Sequence, residues 1–416
     1  MKYFIVAIPL FDQSMTVEAY RLSSRNAEKL FGTKDDHRGM GEMVSSPMLD
    51  LLERVGVGPF SGDMPLLVEI NEYQLLMGFP INFNIPARQI ICVLPADLKI
   101  DKTTVDKLRM LRAKNYNLAI DGVPSADKQK ELIELSKYII LDYASMQYDD
   151  LAREIARFNQ KKTVVISNIP NAAEFGRISR FKNTLCTGNF YANPITRGAR
   201  NISAIKVNAL ALLSQVNEDD FDLLQVAGII ERDPSLSISL MRSINASAMT
   251  GGVTRKIDSI RGAVAILGQK EVRRWATVAI SMQLSEDKPS EITKLSLVRA
   301  RFAENLATAY EMGMLAPSLF LAGLFSLLDV VLQMPMSRAI QEVAVDERVR
   351  RALVDNQGEL FDVLSLVFAY ERADWDRVSV LMLKYNLSVE AINEAFIDAL
   401  VWYKDLLTAI DTESDD

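Results

Sequence analysis

Apolar residues in the first half of the chain fall in short, β-rich runs: YFIVAIPL (3–10), TVEAYRL (16–22), LLVEI (66–70), IICVL (90–94), NLAI (117–120), YIILDY (138–143), TVVIS (163–167) and TLCTGNFYA (184–192). Amphipathic stretches of helical period separate most of them, VDKLRMLRAKN (105–115) and YDDLAREIARFNQ (148–160) among them. Strand and helix in alternation predict parallel βαβ units, and about eight such units predict a closed β/α barrel. The link FDQSM between the first two runs is too short for a crossover, so that pair is expected to be an antiparallel hairpin. Barrels of this kind run from roughly 200 to more than 400 residues. Fitting one into residues 1–195 therefore implies short loops and some missing helices.

After the turn ANPITRG (192–198) the strand signal fades, and residues 200–410 read as consecutive helices. Asp233 is placed to cap a helix whose first residue is Pro234. Ser259 is placed to cap the next one. Gly268, between AVAILG and QKEVRRW, suits the left-handed position that ends a helix. Further helices are expected over 296–313 and 318–332. Pro194 and Gly198 mark the link between the halves. The fold class is thus α/β plus all-α: a barrel over 1–197, a helical bundle over 198–407, and an acidic tail over 408–416 ending in DTESDD.

Composition narrows the chemistry. The chain has a single histidine, His37, in the polar segment FGTKDDHRGMGE, and the bland reading is an exposed loop residue beside Asp35 and Asp36. One histidine excludes sites where several converge on two metals. Cys92 and Cys186 are too few for a closed zinc site and supply no disulfide framework, which suits a reducing cytoplasm. No cofactor is implied. Pro9 and Asp12 break the opening apolar run, so it reads as a strand and not a leader, and no apolar stretch is expected to reach membrane-spanning length. A net charge of −7 argues against nonspecific nucleic-acid binding. Catalysis, if any, must run on carboxylates, lysines and hydroxyls.

In the order of its strand motifs the first half resembles the EAL family, barrels that hydrolyse cyclic di-GMP. The motifs are VEAYRLSSR (17–25), LLVEIN (66–71), LRAKNYNLAIDGV (111–123) and CTGNFYANP (186–194). The second half resembles the HDOD domain, a helical relative of HD phosphohydrolases, through DPSLSISLMRSINAS (233–247), IDSIRGAVAILGQKEVRRW (257–275) and AGLFSLLDVVLQMPM (322–336). FAYERADWDRV (368–378), which carries Glu371 and Trp375, and DALVWYKDL (398–406) resemble a subgroup in which an EAL domain precedes the HDOD domain.

The EAL resemblance implies two divalent metals on carboxylates and an Asn, with a lysine orienting water; paired metals stabilise the attacking and leaving oxygens. On these strands Arg21 stands where the first glutamate would be, and Asn71 is retained. Val93 replaces a glutamate, Asp121 survives while Gly122 replaces its neighbour, and Ile140 replaces the lysine, with Asp142 following in register. Ser167 and Pro170 replace two further acids, and Thr187 stands where Gln is usual. IICVLP and TVVISNIPN hold no acid at all, so this set is not expected to hold two metals.

In the helical half, which has no histidine, Asn245 is read as a cap or buried amide. Gly323 and Ser326, one turn apart, are read as a close helix approach, and Asp329 as a cap or salt-bridge partner within the bundle. The basic stretch 253–275 resembles a DNA reader superficially. The bland reading is that Val264, Ile266, Leu267, Val272 and Trp275 pack inward while Arg273 and Arg274 are solvated or paired to acids. Trp375 is read as a domain or partner anchor, or as packing inside the bundle.

The expectation is a non-catalytic bacterial signalling protein acting through contacts with other signalling proteins, a second copy of the chain being one candidate. Binding of cyclic di-GMP without hydrolysis is the first alternative, and nucleic-acid binding the second.

Overall fold

A computed structural model describes residues 3–26, 52, 56–80, 85–125, 129–192, 204–216, 220–250, 259–285, 289–343 and 345–411. His37, Asp35, Asp36, the link at Pro194 and Gly198, and the end of the acidic tail lie outside the described residues. The chain divides into two compact units. One comprises Met1–Asn193 with Phe368–Glu394; the other comprises Pro194–Val367 with Ala395–Asp416.

Eight strands build the first unit: β1 (Tyr3–Phe11), β2 (Val17–Asn26), β3 (Leu66–Glu69), β4 (Ile90–Pro95), β5 (Asn117–Asp121), β6 (Tyr138–Asp142), β7 (Thr163–Ser167) and β8 (Thr184–Cys186). They close into a barrel in sequence order. β1 and β2 form the expected antiparallel hairpin, β2 through β8 run parallel, and β8 returns antiparallel to β1 at Phe11–Cys186. The eighth strand is shorter than its β-rich run because the aromatics after it do other work. Phe190 stacks on Phe175 (4.5 Å between centroids) and meets Phe11 edge-on.

Side chains fill the interior, as a small barrel requires. Leu10, Ala19, Leu67, Ile91, Val93, Ala119, Ile140 and Val165 form one buried cluster, with Tyr138 and Leu185 packed against it. Because side chains alternate along a strand, the next inward positions beyond this cluster are Arg21, Glu69, Pro95, Asp121, Asp142, Ser167 and Thr187. That layer, at the carboxyl ends of the parallel strands, is where polar chemistry begins.

Short helices connect the strands: α1 (Glu72–Leu76), α2 (Lys102–Ala113), α3 (Lys130–Leu135), α4 (Tyr148–Phe158) and α5 (Ala172–Ile178). α4 buries Leu151, Ile155 and Phe158, one apolar stripe at helical spacing. Asp101 caps α2 by accepting from the Thr104 amide at 2.9 Å.

The second unit begins with α6 (Ala204–Val216), α7 (Leu223–Ile230), α8 (Pro234–Thr250) and α9 (Ile260–Leu284). α10 (Ser290–Leu306), α11 (Ala316–Phe325) and α12 (Leu328–Leu332) follow, then α13 (Glu359–Glu371) and, after α14 (Trp375–Tyr385), which belongs to the barrel unit, α15 (Val389–Asp411). Asp233 accepts from the amides of Ser235 (2.9 Å) and Leu236 (3.2 Å), the cap expected before Pro234. Ser259 caps α9 through the Gly262 amide. Gly268 breaks α9 with φ 72°, as expected of glycine, but its ψ of 171° is extended and not left-handed helical.

Two expectations need correction. Gly313–Leu332 is long and apolar enough, by length and composition, to cross a membrane. It is nevertheless broken between α11 and α12, and it supplies core residues Leu319, Ala322, Leu324, Phe325 and Leu328 to the bundle. The helical half also does not run unbroken to 407: residues 368–394 belong to the barrel unit, and the division falls inside α13 and inside α15. Helical periodicity records that a face is buried and not against which core.

Candidate functional site

Arg21 dominates the polar layer of the barrel. Its Nη2 donates to Glu69 Oε1 and to Asp121 Oδ2, each at 2.7 Å, so one nitrogen serves two carboxylates. Only 18% of the side chain is exposed. Burial pulls the guanidinium pKa down, but attraction to Asp121 and Glu69 and their hydrogen bonds outweigh it, and the net shift is upward. Arg21 is therefore a permanent cation at the centre of the acids.

Asp142 lies in the same layer. It accepts from the Asn168 amide group (2.8 Å), the Ala144 backbone N–H (3.1 Å) and the Ser145 hydroxyl. Burial alone would raise its pKa; these hydrogen bonds, with the field of Arg21, hold it below the ordinary carboxylate value. Asp121 is followed by Gly122, whose φ of +104° disfavours any side chain; a Cβ there would also meet the Ala96 Cβ at 3.3 Å. A second acid beside Asp121 is thus resisted by the backbone itself.

The remaining EAL-motif positions serve the fold. Asn71 lies outside the strand and caps α1: its Oδ1 accepts from the Gln74 amide (2.8 Å) while Gln74 Oε1 accepts from the Asn71 amide (3.0 Å). The inward residue on β3 is Glu69, which the sequence reading missed. The signal was present in the alternation, because Leu67 faces the core and the second residue onward shares its face. Val93 is buried in that core; Pro95 is its polar-layer counterpart and pairs in register with Asp121. Ile140 is fully buried beneath Asp142. Ser167 donates to the Leu141 carbonyl at 3.3 Å. The Thr187 hydroxyl is buried and has no hydrogen-bond partner among the described residues.

This donor set does not fit a pair of divalent metals. Arg21 sits between Glu69 and Asp121 and offsets one of their two charges, Asp142 is committed to Asn168, Ser145 and the Ala144 amide, Asn71 is committed to a cap, and the other positions are apolar or hydroxyl. Among the described residues no group of three or more His, Cys, Asp or Glu side chains is arranged to hold a metal ion.

In the helical unit, Gly323 sits where a Cβ would lie 2.7 Å from the Ala300 Cα and the Arg299 carbonyl, so α10 and α11 touch backbone to backbone as expected. Ser326 Oγ donates to the Gly323 carbonyl (2.6 Å) and accepts from the buried Arg299 (2.9 Å). Asp329 accepts from the Val330 amide at 2.9 Å; burial raises its pKa, and Arg299 offsets part of that shift. Asn245 lies within α8, and its side chain is outside the described residues.

In the basic stretch, Val264 and Val272 are buried and Leu267 and Trp275 half-buried, but Ile266 is 63% exposed, contrary to the inward packing expected. Arg273 donates to the Val216 carbonyl (2.6 Å) and lies over the Phe221 ring, while Arg274 is exposed. Glu371 ends α13 half-buried. Trp375 is buried against Phe4 of β1, a packing role inside the barrel unit.

Comparison with known proteins places this geometry in context. Residues 202–370 match the HDOD domain family. Over nearly the whole chain it is similar to the uncharacterized protein YuxH of Bacillus subtilis, 26% identical with 98% of this chain and 100% of that one covered. It is similar too to the cyclic di-GMP phosphodiesterase CdgJ of Vibrio cholerae, 23% identical with 97% and 93% covered. Among solved structures, the PaMucR phosphodiesterase in complex with c-di-GMP aligns with 47% of this chain and 97% of that one, at 12% identity and a TM-score of 0.38. The chain thus joins a closed eight-stranded β/α barrel to an HDOD domain.

Proposed function

We propose that this protein is a non-catalytic regulator in cyclic di-GMP signalling, a degenerate EAL barrel joined to an HDOD domain that acts in the cytoplasm through contacts with other proteins. One observation carries the reading: Arg21 holds Glu69 and Asp121 at 2.7 Å each, in the layer where the EAL chemistry would need metals. At the effective dielectric of a protein surface, two unit positive charges 4 Å apart repel by on the order of 4 kcal/mol, and a divalent metal would be repelled about twice as strongly. The relatives support the signalling context. CdgJ, named a phosphodiesterase, supplies the rival reading. Fold alone does not decide between them, because activity resides in the site.

The experiment is direct. The full chain is incubated with cyclic di-GMP and magnesium or manganese, and products are separated by chromatography. The dinucleotide is expected to survive intact, and turnover above trace rate would overturn the proposal. Binding without cleavage is the alternative reading; the Thr187 hydroxyl in the same layer is buried and has no hydrogen-bond partner among the described residues. Calorimetric titration separates the two readings, since a pure docking protein gives no heat with high micromolar dinucleotide.

A further inference from the structure

The β1–β2 hairpin is zipped along its own length but weakly joined to the rest of the barrel. β2 meets β3 through two register pairs, Tyr20–Leu66 and Arg21–Leu67, and β1 meets β8 through one, Phe11–Cys186. Toward Tyr3, then, the outer edge of β1 has no strand neighbour among the described residues. An open edge with unpaired backbone groups is costly when buried.

Segment 368–394, which belongs to the barrel unit, covers that edge. The Tyr370 hydroxyl accepts from the Ile5 amide at 3.2 Å, and its single proton serves either the Ile5 carbonyl or Asn393 Oδ1, both at 3.1 Å. Phe4 is stacked on Trp375 (5.7 Å, 13°) and meets Tyr370 edge-on (5.9 Å, 85°). Arg25 on β2 approaches Asp376 at 3.8 Å. Tyr370 and Phe4 are fully or almost fully buried. All these contacts grip the far end of the hairpin, where Ile5 pairs with Ser24. Arg21 lies three residues further along β2, about 10 Å at strand rise.

We propose that residues 368–394 form a clasp that fixes the hairpin and, through it, the hold of Arg21 on Glu69 and Asp121. The clasp is a conformational device: loosening it frees the hairpin at one end and the cation of the site at the other. It enters and leaves the barrel unit within α13 and α15, so both of its ends continue into chain of the other unit. The inference stands whether or not the site binds a ligand.

Hydrogen exchange read by mass spectrometry on the full-length chain tests it. Tyr370→Phe keeps the ring and removes the hydroxyl, a change the fold tolerates more readily than loss of Trp375. Amides in residues 3–11 and 17–26 are expected to exchange about tenfold faster or more, from the loss of one buried hydrogen bond, with β4 to β7 unchanged. Combined with Arg21→Met, the loss of protection over 3–26 is expected to be non-additive, because both residues hold one hairpin. No change over 3–26, or an equal rise across all strands, would overturn the clasp. Strict additivity would overturn its link to Arg21.

Discussion

Replacing Arg21 by methionine removes the cation while keeping most of the apolar stem. In the wild type, one guanidinium nitrogen holds two carboxylates at 2.7 Å. Glu69 is 61% and Asp121 39% exposed, so solvent screens both pairs, and each is worth about 0.2–1 kcal/mol. Losing both, and leaving these acids near Asp142 with no counter-charge, costs about 1–2 kcal/mol. For a unit of this size that lowers the barrel's melting temperature by roughly 2–8 °C. Calorimetry on the full chain at low and high salt is the assay, and the gap between variant and wild type is expected to narrow as ionic strength rises. A double-mutant cycle with Asp121→Asn is expected to return a coupling of about 0.5–1 kcal/mol. An Arg21→Met protein as stable as wild type at low salt, with no coupling to Asp121, would refute the idea that this cation organises the site.

Asp142 is held below its ordinary pKa, so its stabilising contribution is present above the unfolded value of about 3.9 and lost as pH falls through the folded one. Asp142→Asn is therefore expected to cost about 1 kcal/mol near pH 7, with denaturation curves converging below about pH 4. Gly323→Ala pushes a methyl into backbone at 2.7 Å and is expected to cost about 1–3 kcal/mol in the helical unit, read by urea unfolding. Gly122→Asp supplies the missing acid at φ +104°, so a loss of about 1–3 kcal/mol and no gain of hydrolysis are expected. Arg274→Glu, at an exposed site, is expected to change stability by less than about 0.5 kcal/mol. Neither that variant nor the wild type is expected to give a salt-sensitive nucleic-acid gel shift.

Much of this architecture is legible in the chain because its signals are local. The alternation of YFIVAIPL and its parallel counterparts sets which residues face the barrel core, and FDQSM dictates the hairpin. Asp233, Ser259 and Gly323 announce caps and a close approach by residue type alone. What escaped was register and partnership. LLVEIN offers both Glu69 and Asn71 as site candidates, and only the two-residue alternation, followed inward from Leu67, selects Glu69. Asn71 could not be told from a ligand by type, since the same carboxamide suits a helix cap. The placement of Tyr370 and Trp375 against β1 depends on a contact hundreds of residues away in sequence, which no local period encodes. Ile266, expected to pack inward, lies two residues past buried Val264, roughly 200° around the helix, and so faces outward.

The proposed non-catalytic role requires that Arg21 take the space and charge that metals would need, and manganese binding tests this most directly. The full-length protein is titrated with Mn²⁺ and the free ion followed by electron paramagnetic resonance. The free signal is expected to rise in proportion to added metal, with no saturable uptake below millimolar concentration. Uptake of two ions per chain at micromolar concentration, abolished by Asp121→Asn, would contradict the account.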